Sequence, residues 1–209
     1  MINFSKLLST LLTKVLLLVS FSFILISQVN ADDGLYERGI KLVEQKNYEK
    51  ALKAFELGAK TDDLDAMTAA GIMYIAGVGV NQNDKKGFKY IQDAANKSHP
   101  KAQYTLGAIY YLGAGVAIDL NSAFKWISLS ADQGYLDAQH NLAQMYETGK
   151  GVALDLEQAY EYYIIAARSG NLDSQIKVAQ MYQDGVGTEK NLDKSTYWLK
   201  KIEESKASN

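Results

Sequence analysis

The chain has 209 residues, 47% of them hydrophobic and 22% charged, with a formal net charge of −2. That composition is globular; it excludes a disordered tail or a multispanning membrane protein. The mild acidity disfavours nucleic acid or an anionic membrane surface as partner, and the absence of Cys excludes disulfide staples and thiolate metal sites.

Residues 1–31 differ from the rest. Lys6 and Lys14 are their only charges, Val15–Ile26 is an apolar run broken only by Ser20 and Ser22, and Val29-Asn30-Ala31 puts small residues where a signal peptidase cuts. This predicts a cleavable secretory signal ending at Ala31, and hence a periplasmic or secreted protein with no stable membrane anchor. An uncleaved anchor fits less well, because the run is short and Lys14 would fall inside a longer span. No Cys follows the run, so a lipid-anchored lipoprotein is not expected. Removing the two Lys takes the net charge to −4.

The first unit, residues 32–65, reads as a helical hairpin. Leu35, Gly39 and Leu42 start one helix, Gln45-Lys46-Asn47-Tyr48 turns, and Ala51, Phe55 and Gly58 lie on a second. After it one short loop is written four times: Gly77-Val78-Gly79-Val80, Gly113-Ala114-Gly115-Val116, Gly149-Lys150-Gly151-Val152 and Gly185-Val186-Gly187-Thr188, each copy 36 residues after the last. A fixed period of that size marks stacked repeats. The repeats are expected at residues 66–101, 102–137, 138–173 and 174–209, the last including a C-terminal tail.

The residues around each loop repeat too. In the unit 102–137, Ala102, Leu106, Gly107 and Tyr110 share one helical face. The glycines end that helix, Asp119 caps the next, and Ala123, Trp126, Ile127, Ser130 and Ala131 form its apolar face up to Gly134. Asn83, Asp155 and Asn191 stand at the same capping position. Gly134 and Gly170 recur at the unit ends, but Ser98 takes their place in the unit 66–101, and Pro100 suits the first turn of the helix that follows. Small residues at fixed places let paired helices approach closely. The aromatics Tyr90, Trp126, Tyr162 and Trp198 are expected to fill space towards the neighbouring unit.

The pattern Ala…Leu-Gly…Tyr…Gly-x-Gly-Val…Asp…Ala…Trp…Ala-Ala…Gly resembles the Sel1-like repeat (SLR). The shorter loop of the first unit resembles the tetratricopeptide repeat (TPR) of the same superfamily. The resemblance implies an all-α, right-handed α-solenoid of stacked helix-turn-helix repeats. It also implies a non-catalytic adaptor or scaffold for protein complexes, of the exported bacterial type that works in the cell envelope or outside the cell. Fold does not name a partner.

Site chemistry is sparse. No Gly-x-Gly loop has the third glycine of a dinucleotide fingerprint or the Ser/Thr of a P-loop. His99 and His140 sit in no metal-binding spacing, so neither metal nor cofactor is expected. Ser-x-x-Lys occurs at Ser98/Lys101, Ser122/Lys125 and Ser174/Lys177. It is the nucleophile motif of penicillin-binding proteins and supports the alternative reading, a peptidoglycan- or β-lactam-interacting hydrolase, but its partner motifs are absent.

The resemblance to tetratricopeptide repeats puts the first helix of each hairpin on a concave groove. The positions it implies are Tyr36, Ile40, Val43 and Glu44 in the first unit, then Thr68, Ile72 and Ile75. Next come Lys101, Tyr104, Ala108, Tyr111 and Leu112, then His140, Gln144 and Glu147, and finally Gln180, Gln183 and Asp184. Aromatic anchors with a polar rim suit a protein or peptide partner. Separately, Tyr197, Trp198, Leu199 and Ile202 in the last helix could leave apolar surface for a partner or a second copy.

Overall fold

The computed structural model describes residues 34–207; the expected export signal lies outside them. Ten α-helices and no strand occur among the described residues. They are α1 (Leu35–Glu44), α2 (Tyr48–Lys60), α3 (Leu64–Ala76), α4 (Asp84–Asn96), α5 (Pro100–Leu112), α6 (Leu120–Asp132), α7 (Leu136–Thr148), α8 (Leu156–Arg168), α9 (Leu172–Asp184) and α10 (Leu192–Ala207). None is long and apolar enough to cross a membrane. Helices pair into hairpins, α1 with α2, α3 with α4, α7 with α8 and α9 with α10, and hairpins stack through α2 on α3, α6 on α7 and α8 on α9. The chain divides into two compact units, up to Ala102 and from Gln103. The fold class is the all-α helical-repeat solenoid.

Local chemistry sets each boundary. Asn83, Asp119, Asp155 and Asn191 accept the backbone N–H of Lys86, Ser122, Gln158 and Lys194 at 2.9–3.0 Å, as their position in the repeat predicts. Each such cap satisfies a donor that the helix itself cannot pair. The N–H of the same capping residue turns back to a first-helix carbonyl. Asn83 reaches Tyr74, Asp119 reaches Tyr110, Asp155 reaches Tyr146 and Asn191 reaches Tyr182, at 2.8–3.0 Å. That bond spans a fixed number of residues, which is why the Gly-x-Gly loop keeps a constant length. The unit ends turn through positive φ, 84° at Gly134 and 94° at Gly170, and Ser98 adopts 61° there in spite of its Cβ.

A second row of caps was not legible beforehand. Asp63 and Asn171 accept from Ala66 and Ser174 at 3.0 and 2.8 Å. His99 stands at the same repeat position, and its Nδ1 accepts from Ala102 N–H at 3.3 Å. Its Nε2 lies 3.5 Å from Asp65.

The core of the first unit gathers Val43, Leu52, Phe55, Met73 and Tyr74 around Ala51, Ala66, Ala69 and Ala70. Small residues do bring helices close: a Cβ on Gly87 would lie 2.6 Å from the Gly71 carbonyl oxygen. In the second unit Tyr163, Ile164, Val178, Met181, Tyr182 and Trp198 pack around Ala143, Ala159, Ala167 and Ala179.

Tyr162 reaches the preceding repeat as expected, its hydroxyl donating to Asp132 at 3.3 Å, and two of the aromatics also pair within their hairpins. Tyr90 stacks on Tyr74 and Tyr162 on Tyr146, at 6.0 Å and nearly parallel, inside their own hairpins. The reason is the loop-closing bond above, which holds each first-helix Tyr opposite the second helix. At the last helix, Trp198 and Ile202 are buried while Tyr197 and Leu199 are exposed. The repeat positions that Tyr163, Ile164 and Ala167 bury in α8 carry Leu199, Lys200 and Glu203 in α10, all exposed, so that face has little continuous apolar surface.

Candidate partner-binding site

In the first unit, α1 and α3 run side by side and leave a pocket between them, floored by α2. Tyr36, Ile40 and Val43 come from α1, Tyr48 and Phe55 from α2, and Ala69, Ile72 and Met73 from α3. Val78 closes it from the Gly-x-Gly loop, and Lys101 stands at one edge. The helical spacing of Tyr36, Ile40 and Val43 puts all three on one face of α1. Phe55 reaches that far because Gly39 has no side chain, since a Cβ there would meet the Phe55 ring at 2.5 Å or less. The pocket encloses about 140 Å³. An apolar cavity of roughly 150 Å³ admits a benzene-sized group, so one large side chain fits.

Among the described residues Lys101 is the only charged one lining it. Its ammonium lies over the Tyr36 ring at 5.4 Å, bonds the Tyr36 hydroxyl at 3.2 Å and stands 3.9 Å from Asp65. A hydrogen bond from His99, aided by the nearby Lys101 and opposed by desolvation, holds the Asp65 carboxyl below its usual range. At the repeat position of Lys101 the other units carry Asp65, Asp137 and Asp173. A cation in a first helical turn opposes the helix dipole where the three acids favour it.

The second unit offers a different face. Tyr104 is buried, its hydroxyl accepting from Asn141 at 2.7 Å and its ring 5.3 Å from Tyr135. Ala108 is buried too, as is Thr68 in the first unit, whose hydroxyl bonds the Leu64 carbonyl at 2.7 Å. These three residues were expected to line the groove, and none presents accessible surface. Packing against the next hairpin takes the larger ones, as the buried contacts of Tyr104 show. Tyr111 is half-buried under Lys150, which bonds its hydroxyl at 2.9 Å. Glu147 takes Tyr163 at 2.7 Å and Lys177 at 2.9 Å. Desolvation alone would raise its pKa, but these hydrogen bonds from Lys177 and Tyr163 hold it low. Gln180 is exposed.

His140 is largely enclosed. Its Nδ1 is 2.7 Å from Ser174 Oγ and its Nε2 2.8 Å from the Gln144 amide. Both ring nitrogens are thus engaged, and the tautomer sets which member of each pair donates. Desolvation pushes the imidazole pKa below 6.5, partly countered by Asp173 and Asp137.

A serine on a histidine suggests a nucleophile, but Ser174 is fully buried and its Lys177 is paired with Glu147. Ser122 donates to its capping Asp119 at 2.6 Å. The Ser-x-x-Lys motif at these two places thus builds helix caps and repeat contacts. Among the described residues no group of three or more His, Asp or Glu could hold a metal.

Sequence reasoning therefore found Tyr36, Ile40, Val43, Ile72 and Lys101, and the structure brings them together. It missed Tyr48, Phe55, Met73 and Val78, which come from a second helix, the core face of α3 and a loop. The charge reversal at Lys101 was visible in the repeat register.

The Sel1 repeat model matches residues 33–60, 64–99, 100–135, 136–171 and 172–204, so the shorter first unit counts as a Sel1 repeat as well. Two solved structures are similar. One is a Sel1 repeat protein from Oxalobacter formigenes, with a TM-score of 0.75 and 28% identity over 84% of this chain and 52% of that one. The other is c5321, a protective antigen present in uropathogenic Escherichia coli strains displaying an SLR fold, with a TM-score of 0.74 and 32% identity over 82% of this chain and 38% of that one. The chain thus spans about half or less of the length of these structures. No curated protein matches it.

Proposed function

Because the chain belongs to the Sel1 repeat family, whose members mediate protein–protein interactions, we propose that it is a non-catalytic scaffold that holds a protein or peptide at the apolar pocket of its first unit. The observation that carries this is the contrast between the two units' first-helix faces. In the second unit Tyr104, Tyr111, His140, Gln144 and Glu147 each spend a polar group on a neighbour within the unit. In the first, Tyr36, Ile40 and Ile72 are only half-buried and border an open apolar cavity. Open apolar pockets with an aromatic wall are where binding energy concentrates at interfaces.

Work in the bacterial envelope or outside the cell is part of the same proposal. Its support is the Lys-flanked apolar run and the Val29-Asn30-Ala31 cleavage pattern. The test is recovery of partners from cell envelope and culture medium with wild type and with the double variant Ile40→Glu/Ile72→Glu. Leu57→Glu, on an exposed position of α2, is the control. Loss of a partner in the double variant alone supports the site; equal recovery by all three removes it. An N-terminus at Asp32 on the exported chain would support the compartment.

A further inference from the structure

We propose that the chain associates head to tail with copies of itself, the exposed face of the α9–α10 hairpin of one copy seated on the outer edge of the α1–α2 hairpin of the next. This goes beyond the scaffold reading and uses neither its pocket nor Lys101. The chain already contains one such joint.

At that internal joint the end of α6 meets the following hairpin. Ala131 and Asp132 of α6 border a cleft with Gln139 of α7 and with Gln158, Glu161 and Tyr162 of α8. The Tyr162 hydroxyl donates to Asp132 at 3.3 Å. A small Ala thus faces a large ring, and an acid from one hairpin is held by the next.

The same repeat positions recur on the first hairpin, where no other hairpin covers them among the described residues. A cleft of about 290 Å³ opens there. Leu35 stands at the position of Gln139, Lys50 and Lys53 at those of Gln158 and Glu161, and Ala54 at that of Tyr162. Arg38 joins them, exposed, where the other repeats bury Ala70, Leu106, Leu142 and Val178. All the charged residues lining this cleft are cations, and among the described residues none of the three forms an ion pair.

On α10 the positions of Ala131 and Asp132 carry Glu203 and Glu204, both exposed. The larger Glu203 replaces Ala on one side where the smaller Ala54 replaces the ring on the other. Size is therefore exchanged across the joint, and acids come to cations. Glu204 lies 3.8 Å from Lys200 of its own helix, so Glu203 carries the main contact.

Ile176 and Leu199 supply the apolar part. They are 36% and 48% exposed, whereas Tyr104 at the first position and Ile127 and Tyr163 at the second are buried, each with a further hairpin after it. Ile176 stands at the position of His140, whose partner Ser174 corresponds to Gly34. It would therefore land beside the half-buried Leu35. Leu57 stays at the rim, because its counterpart Ile165 keeps 40% exposure with the preceding hairpin in place, against 50% for Leu57. Rim charges of this kind set orientation and specificity more than affinity, so the association is weak and salt-sensitive. The two faces differ, so one copy can use both at once and assembly ends at a dimer only if it closes.

The experiment is sedimentation velocity on the full chain, as its own cells process it, over a concentration series at low and high salt. Lys50→Glu/Lys53→Glu and Glu203→Lys/Glu204→Lys each reverse one face, and thermal melts check that both fold. Expected for wild type are species larger than the monomer that diminish as salt rises. Each variant alone should associate at least about tenfold more weakly. An equimolar mixture of the two should assemble again, because each offers the face that the other lacks. A wild type that stays monomeric throughout overturns the proposal, as does assembly that either reversal leaves unchanged or a mixture that does not recover. A monomeric wild type whose Lys50→Glu/Lys53→Glu variant loses an envelope partner would assign the cleft to an acidic segment of another protein and refute self-association. Ile40 and Ile72 lie outside both faces, so loss of partners in Ile40→Glu/Ile72→Glu and loss of assembly here fail separately.

Discussion

The two glycines of each loop do different work, and a pair of alanine substitutions separates them. Gly149 and Gly151 have φ of 66° and 74°. An L-residue pays about 1–2 kcal/mol in this region, offset by about 0.4–1 kcal/mol from the stiffer unfolded chain. At Gly149 the added Cβ meets nothing nearer than the Leu154 Cβ at 3.4 Å, an ordinary contact, so Gly149→Ala should cost about 1 kcal/mol. At Gly151 the same atom would lie 2.1 Å from the Leu120 carbonyl oxygen and 2.7 Å from its carbon. That backbone belongs to the first turn of α6, in the preceding repeat, and it must move by about an ångström or more. Overpacking of this kind adds about 1–3 kcal/mol, for a total near 2–4. Gly187 meets the Leu156 oxygen at the same 2.1 Å, so Gly187→Ala should behave like Gly151→Ala. Urea unfolding measures this as a shift in midpoint at constant slope. Equal costs at Gly149 and Gly151 would refute the claim that the second glycine seats one repeat on the next.

Other perturbations test other parts of the frame. Ser98→Gly should stabilise the chain by about 0.5 kcal/mol, because the positive φ then carries no Cβ penalty; a lower urea midpoint would contradict this. Asn171→Ala removes the cap on the Ser174 N–H at 2.8 Å and should cost about 1 kcal/mol by the same measurement. His140 is held below its ordinary 6.5 in the folded chain, so the unfolded state binds its proton first. Its contribution is then present above about pH 6.5 and is lost as pH falls through the folded value. The melting temperature should therefore decline below pH 6.5, before the depressed carboxyls of Glu147 and Asp65 begin to be lost below about 4.5. In His140→Gln the upper part of that decline should disappear; an unchanged profile would exclude His140 as its cause.

How much of this was legible depended on whether a residue acts within its own repeat. The caps Asn83, Asp119, Asp155 and Asn191 act on the next few residues of their own helices, so register alone located them. Tyr104 and Thr68 occupy groove positions in that same register, yet the next hairpin and the local backbone enclose them, which one repeat in isolation does not reveal. His99 hid as a cap because residue type pointed elsewhere, although Asp63 and Asn171 stand at its repeat position. The pocket was half visible. Ile40 and Ile72 follow from helical phase, whereas Phe55 enters through the space that Gly39 leaves open, and that is a matter of three-dimensional packing.

The most direct measurement places a photocrosslinking amino acid at Ile72, beside the pocket, and for comparison at Leu57 on an exposed position of α2, in the intact chain inside its own cells. Expected is a discrete protein adduct from position 72 that Ile40→Glu weakens, and none from position 57. Adducts from 57 alone, or from both with equal yield, would contradict it.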